Sequence, residues 1–398
     1  MNERDNFETC PTFVEAGWRA STGARRASRP AALFFAATRR LEPRKKSPGA
    51  MGNTLSRDGQ NYRWDSLFQA LTRPDDLRDY LERMGPSHGP LRTQIDLLTG
   101  TLQVDLSLLK VSEVAESFDT ATFCLGQLVS HEPLMVSELP FALTFVEGLS
   151  SALRKGWLVH HGVGKFAANA LTILCICEQA NSAVRDRAIE ELLGGLLEWL
   201  RSEDAPTDVD EVCGCNCGCP ALSATCWLER LLSKPDALLE EKVGSWPALW
   251  PLVTALLDVV CRRDGNPFAL TRLLRVPKVF SSLMKHDEQT AQTALDFLTF
   301  GVLQFENPMF TEDAVQALLA LLREPGASGV QAVLKGRCSL LLLEALATAA
   351  CYLPSAMTAL EILASEPDGK ACLYSLAEKL GEEKEAATSS PSAAAAAP

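Results

Sequence analysis

Phe166–Cys177 reads FAANALTILCIC, and after Glu178-Gln179-Ala180-Asn181 the chain continues from Ser182 to Leu200 as SAVRDRAIEELLGGLLEWL. In the second stretch Ile189, Leu192, Leu193, Leu196, Leu197 and Leu200 recur at i, i+3, i+4, i+7 spacing, with Glu190, Glu191 and Glu198 on the other side. That period predicts a helix with one apolar stripe. The first stretch is apolar nearly all round, which suits a helix enclosed by neighbours. A buried helix followed by an amphipathic one is what the inner part of a stacked helical array requires.

The rest of the chain supports the same fold class. Of 398 residues, 47% are hydrophobic but only 7% aromatic, and Leu and Ala dominate the apolar set. Both are strong helix formers, whereas strands draw on β-branched and aromatic residues. No long stretch alternates with period two. The length exceeds one typical compact domain, so two domains or one elongated array is expected. We therefore expect an all-α protein.

Residues 167–200 resemble an armadillo repeat. The resemblance rests on Ala167-Ala168-Asn169-Ala170-Leu171, Leu174, Asn181, Ile189 and the closing Leu196-Leu197 pair. A similar order recurs at Ala294-Leu295, Leu298, Asn307, Ala314 and Leu318-Leu319, and more loosely at Ala255-Leu256, Asn266, Ala269 and Leu273-Leu274. Fainter echoes lie at Cys124-Leu125 and Ala345-Leu346. From Ala170 to Ala255 is 85 residues, and the intervals on to Ala294 and Ala345 are 39 and 51. These are near one or two repeats of the ~40–47 residues expected for this class. The resemblance implies an armadillo/HEAT-like right-handed superhelix of stacked helices over residues 91–380, preceded by lead-in helices at 51–90. Such repeats cannot bury their faces singly, so at least three stack into an extended surface. The implied function is a protein–protein interaction scaffold or adaptor, with proteins as partners.

Charge narrows the partners. The net charge is −12, yet residues 1–50 hold ten Lys/Arg against five Asp/Glu. The body is therefore strongly acidic. That argues against nucleic acid, whose phosphates call for clustered Lys/Arg, and fits partners with basic segments. Residues 1–50 and 381–398 have disorder-type composition, the first rich in Arg, Ala, Ser and Pro, the second ending in a run of alanines. No stretch has the ~20 apolar residues of a membrane span. Thirteen cysteines without an apolar secretory leader read as reduced thiols in the cytoplasm.

Two segments carry specific chemistry. Met51-Gly52-Asn53-Thr54-Leu55-Ser56 matches the N-myristoylation pattern, which acts only if translation starts at Met51 and exposes Gly52. One acyl chain gives reversible, peripheral membrane contact at most. Cys213, Cys215, Cys217 and Cys219 alternate with Gly or Asn after an acidic stretch, within an insertion at 203–222. Closely spaced thiolates on a flexible chain can hold Zn(II) or Cu(I). A metal- or redox-responsive protein is thus the alternative to a scaffold. The spacing is not that of a zinc finger, and neighbouring acids raise thiol pKa values. A loop with incidental cysteines explains the run as well.

Other candidates fail on inspection. Gly162-Val163-Gly164-Lys165-Phe166 lacks the first Gly and the Ser/Thr of a phosphate-binding loop. His160-His161 are adjacent, so on a helix they diverge by about 100°. No nucleophile-elbow or zinc-protease motif occurs, and no enzyme is expected. No Trp is followed four residues later by Asn, the pairing with which importin-α-type arrays read basic signals. Trp246 and Trp250 read as core residues, as do Cys175 and Cys177.

Overall fold

The computed structural model describes residues 89–389, apart from 160, 203–219, 234, 263–264 and 325–327. The described residues form α-helices and short 3-10 turns with no strand, as the composition predicts. In chain order the helices are α1 (Gly89–Leu102), α2 (Ser112–His131), α3 (Pro133–Glu138), α4 (Ala142–Lys155), α5 (His161–Ile176), α6 (Ser182–Arg201), α7 (Pro220–Leu231), α8 (Ala237–Ser245) and α9 (Leu249–Arg262). They continue with α10 (Pro267–Arg275), α11 (Val279–His286), α12 (Glu288–Leu303), α13 (Pro308–Leu322), α14 (Ser328–Lys335), α15 (Ser339–Ala349), α16 (Pro354–Ser365) and α17 (Pro367–Ser389). α17 continues as helix past residue 380, where the sequence places the start of a low-complexity tail.

Local chemistry sets many of the helix starts. Asn181, Asn266 and Asn307 each sit at an N-cap and accept a hydrogen bond from a first-turn amide, at 3.1, 3.1 and 3.2 Å. Asp236 and Asp287 do the same for α8 and α12. Proline fills the opening turn of α3, α10, α13 and α16, where its missing N–H leaves no bond unmade.

The longer helices pack in two layers. α2, α5, α7, α10, α13 and α16 contact one another in succession. Opposite them, α1, α4, α6 and α9 pack in succession, α12 packs on α15, and α11 bridges α9 to α12. Each helix of this first layer also packs on the second-layer helix that follows it, as α4 on α5 and α12 on α13. Contacts between layer neighbours recur at a nearly constant sequence offset. Arg154 meets Glu198 44 residues away, Arg272 meets Glu229 43 away, and Ser355 meets Glu312 43 away. One continuous apolar core runs through the stack from Ile95 to Leu376.

The layers give the repeat markers a different phase from the one the sequence suggests. Cys124-Leu125 and Ala170-Leu171 lie on α2 and α5 in the second layer, while Ala255-Leu256, Ala294-Leu295 and Ala345-Leu346 lie on α9, α12 and α15 in the first. The interval from Ala170 to Ala255 therefore crosses layers and does not measure a repeat. Helices of both layers bury small residues against their neighbours, so an Ala-Leu pair cannot tell the layers apart.

Two glycines show how tightly units abut. A Cβ on Gly329, in the first turn of α14, would lie 2.1 Å from the Leu321 carbonyl oxygen of α13. A Cβ on Gly369, in the first turn of α17, would lie 2.0 Å from the Leu363 carbonyl oxygen of α16. In both, the first turn of the next helix rests directly on the backbone at the end of the preceding second-layer helix.

No single described helix is long and apolar enough to cross a membrane. α8 and α9 together come nearest in composition, but they meet at a 92° bend and α9 buries Leu252, Val253 and Leu256 in the core.

Candidate functional site

Gly52 and Cys213, Cys215, Cys217 and Cys219, with the metal or lipid chemistry expected of them, lie outside the described residues. Topologically the cysteine run joins the end of α6 to the start of α7, a first-layer helix to its second-layer partner. Gly162–Lys165 are helical, in the first turn of α5, and Gly164 packs against Trp199 and Trp157 instead of forming a loop. His161 opens α5, and His160 is outside the described set. Cys175 is fully buried and Cys177 half-buried, while Trp246 and Trp250 are partly buried against the core. Among the described residues no three His, Cys, Asp or Glu side chains are grouped as metal ligands would be.

The first-layer face of α4 and α6 carries two shallow depressions of about 390 and 290 Å³, which share Glu147. Their charges largely satisfy one another. Arg154 pairs with Glu191 at 3.0 Å and with Glu198, and Arg187 pairs with Glu191 at 2.7 Å and Glu190 at 3.5 Å. Burial pushes the Glu191 carboxyl up, but hydrogen bonds from Ser150 and Arg154 and the charges of Arg187 and Arg154 outweigh it, so the group is held below its ordinary pKa. Half-exposed pairs of this kind each contribute about 0–1 kcal/mol, and they leave little unmet demand for a ligand. Lys155 is likewise committed, donating to the Leu102 and Val104 carbonyls at 3.4 and 3.0 Å.

The outer face of the second layer differs. On α5 the open or partly open positions are Gly162, Lys165, Phe166, Ile173 and Ile176, one stripe at helical spacing with the nearly buried Asn169 among them. Phe166 stacks on Phe123 of α2, with ring centroids 5.5 Å apart and planes at 21°. Gly126 permits that stack, because a Cβ there would lie 2.3 Å from the Phe166 ring. On α7 the matching positions are Leu222, Cys226 and Glu229. Asn169 stands in the middle of this surface, is 7% exposed, and takes no hydrogen bond from any described residue. Its two donors and its carbonyl are therefore available to a group arriving from solvent.

Towards α10 the surface becomes charged and closed. Arg272 bonds Glu229 of α7 on one side and Asp313 of α13, at 3.2 Å, on the other. Its guanidinium also lies 5.7 Å over the Phe268 ring, and Phe268 packs edge-on against Phe310. The open part of the second-layer face is thus the stretch across α2, α5 and α7. Sequence reasoning named Asn169 only as part of a repeat signature. That its amide lies unpartnered on a half-open stripe depends on how α2 and α7 flank α5.

Compared with known proteins, the chain matches no family model and no curated protein.

Proposed function

We propose that this chain is a protein-binding scaffold built as an armadillo/HEAT-like superhelix, and that the second-layer face over α2, α5 and α7 receives an extended partner segment. The recurrence of neighbour contacts at 41–46 residues supports the array. The observation that carries the binding reading is Asn169. An amide set in an apolar stripe, with no partner among the described residues, suits a ligand backbone that presents N–H and C=O in the extended form. Phe123, Phe166 and Ile173 beside it would take up the apolar side chains of that segment.

The test is selection of random peptides on the full chain, followed by affinity measurement on variants. Peptides so recovered should bind Asn169→Ala and Phe166→Ala about tenfold or more weakly, while Glu190→Gln on the first layer leaves affinity unchanged. Peptides whose affinity follows Glu190 and ignores Asn169 would transfer the function to the first-layer depressions and end this reading.

A further inference from the structure

Beyond the α2–α5–α7 face, the connections near the C-terminal end of the array expose a second apolar surface. Phe305, which follows α12, and Tyr352, which follows α15, meet edge-on with ring centroids 6.3 Å apart. These residues are 39% and 47% exposed although they touch each other. Met309 in the first turn of α13 is 72% exposed, and Met357 in the first turn of α16 is 48% exposed. The two turns are tied together, because the Ser355 hydroxyl donates to Glu312 at 2.8 Å. Two methionines and two aromatic rings thus occupy one place where consecutive units abut. Methionine is flexible and polarisable, and it adapts to varied apolar guests. Four large apolar side chains open to solvent at one place call for an occupant.

Charge identifies the occupant. Neither 304–312 nor 350–361 contains a Lys or Arg, whereas Glu306, Glu312 and Glu361 do lie in these stretches. Asp313 is not part of this balance, since Arg272 and Arg275 already pair with it. We infer that the Phe305–Met309–Tyr352–Met357 surface docks a partner segment bearing bulky apolar anchors flanked by lysine or arginine. The apolar anchors would bury against the methionines and rings, and the flanking cations would meet Glu306, Glu312 and Glu361, in two stretches that themselves hold no base. This surface is independent of the Asn169 face. Arg272, with its partners on α7 and α13, lies between them.

Fluorescence anisotropy on the full chain tests the inference, with a labelled synthetic peptide that has Leu and Phe anchors flanked by lysines. Two controls carry glutamates for the lysines or serines for the anchors. The lysine-flanked peptide should bind, and both controls should be weaker by about tenfold or more. Met309→Ser combined with Tyr352→Ser should abolish the binding. Glu306→Lys, a fully surface change, should weaken it several-fold and flatten its salt dependence. Asn169→Ala should leave it untouched, so failure here and failure of the Asn169 face are separable. Equal binding of lysine- and glutamate-flanked peptides, or no binding of either, would overturn the proposal. So would a concentration-dependent dimer that vanishes in the Met309/Tyr352 variant, since a second copy would then be the occupant. Binding of phosphatidylserine vesicles in place of the peptide would overturn it as well.

Discussion

Arg185 and Asp236 join three helices through one buried guanidinium. Nη2 of Arg185 lies 2.5 Å from Oδ2 of Asp236, and its Nε donates to the Cys175 carbonyl at 2.6 Å. Arg185 is only 3% exposed. The side chain therefore ties α6 to the end of α5 and to the cap of α8, while Asp236 also accepts from the Leu239 amide at 2.9 Å. Removing one partner of a buried pair costs about 3–5 kcal/mol, because the other charge is left uncompensated. Asp236 keeps its capping bond and some solvent, so Arg185→Met should cost about 3 kcal/mol, at the low end of that range. Asp236→Asn should cost less than Asp236→Ala, since asparagine still caps. Chemical denaturation of the three variants checks the order.

Acid should unfold the protein through the same pair. Burial pushes the Asp236 carboxyl up, but the Leu239 amide, the hydrogen bond and charge of Arg185, and the Leu238 amide outweigh it and hold the group below its usual value. Glu191 is depressed as well. A carboxylate whose folded pKa is lowered adds stability above its unfolded pKa, near ~4. That contribution is lost as pH falls through the folded value. Tm should be nearly constant from about pH 7 to 5 and fall below about pH 4. Asp236→Asn should fall less steeply over that lower window. An equal slope in the variant would remove Asp236 from the account.

The thiols should divide by burial. Desolvation pushes the Cys124 thiol up to about 12 and Cys261 up to about 11, and raises buried Cys175 still further. For these acids the sign is opposite to that of the carboxylates. The neutral thiol favours the folded state, and its contribution is lost as pH rises from the unfolded value near ~8.5 through the folded one. Native alkylation at pH 8, followed by mass spectrometry, should label exposed Cys351 and spare Cys124 and Cys175. Rapid labelling of Cys175 would mean that α5 opens locally.

Where crossing helices rest on backbone, small changes should be costly. Gly329→Ala and Gly369→Ala each place a methyl group about 2 Å from a carbonyl oxygen that has no rotamer by which to yield. Alanine normally stabilises a helix relative to glycine by about 1 kcal/mol. Here both substitutions should instead destabilise by about 1–3 kcal/mol, the usual cost of overpacking. Gly100→Ala on α1, with nothing within 4 Å, should follow the ordinary helix trend and gives the contrast. Thermal melts of the three decide whether the close approach governs the effect.

Asn169 should separate binding from stability. Its side chain bonds no described residue, so Asn169→Leu breaks no hydrogen bond among the described residues and should leave the stability of the free chain within about 1 kcal/mol. The same change should weaken the peptides that the α2–α5–α7 face selects. A variant both less stable and unchanged in binding would mark Asn169 as a structural residue.

The helices were legible in the sequence because their determinants are local. Apolar spacing in Ile189–Leu200 requires a one-sided helix, and Asn181, Asn266 and Asn307 act as caps through bonds to amides two or three residues on. Which layer each helix joins was not legible. Asn181 caps a first-layer helix while Asn266 and Asn307 cap second-layer ones, and the local chemistry of all three is alike. Periodicity reports that one side of a helix is apolar, but not which neighbour will cover it. Coverage is decided by contacts some forty residues distant, such as Phe123 with Phe166 or Phe305 with Tyr352. Those contacts determine that Asn169 stands unpartnered among the described residues and that Met309 stays open. The sequence by itself thus determined an all-helical chain and where many of its helices begin. Only the tertiary structure decided the two layers, the backbone seats at Gly329 and Gly369, and the surfaces left for partners, because these depend on which side chains meet across the stack.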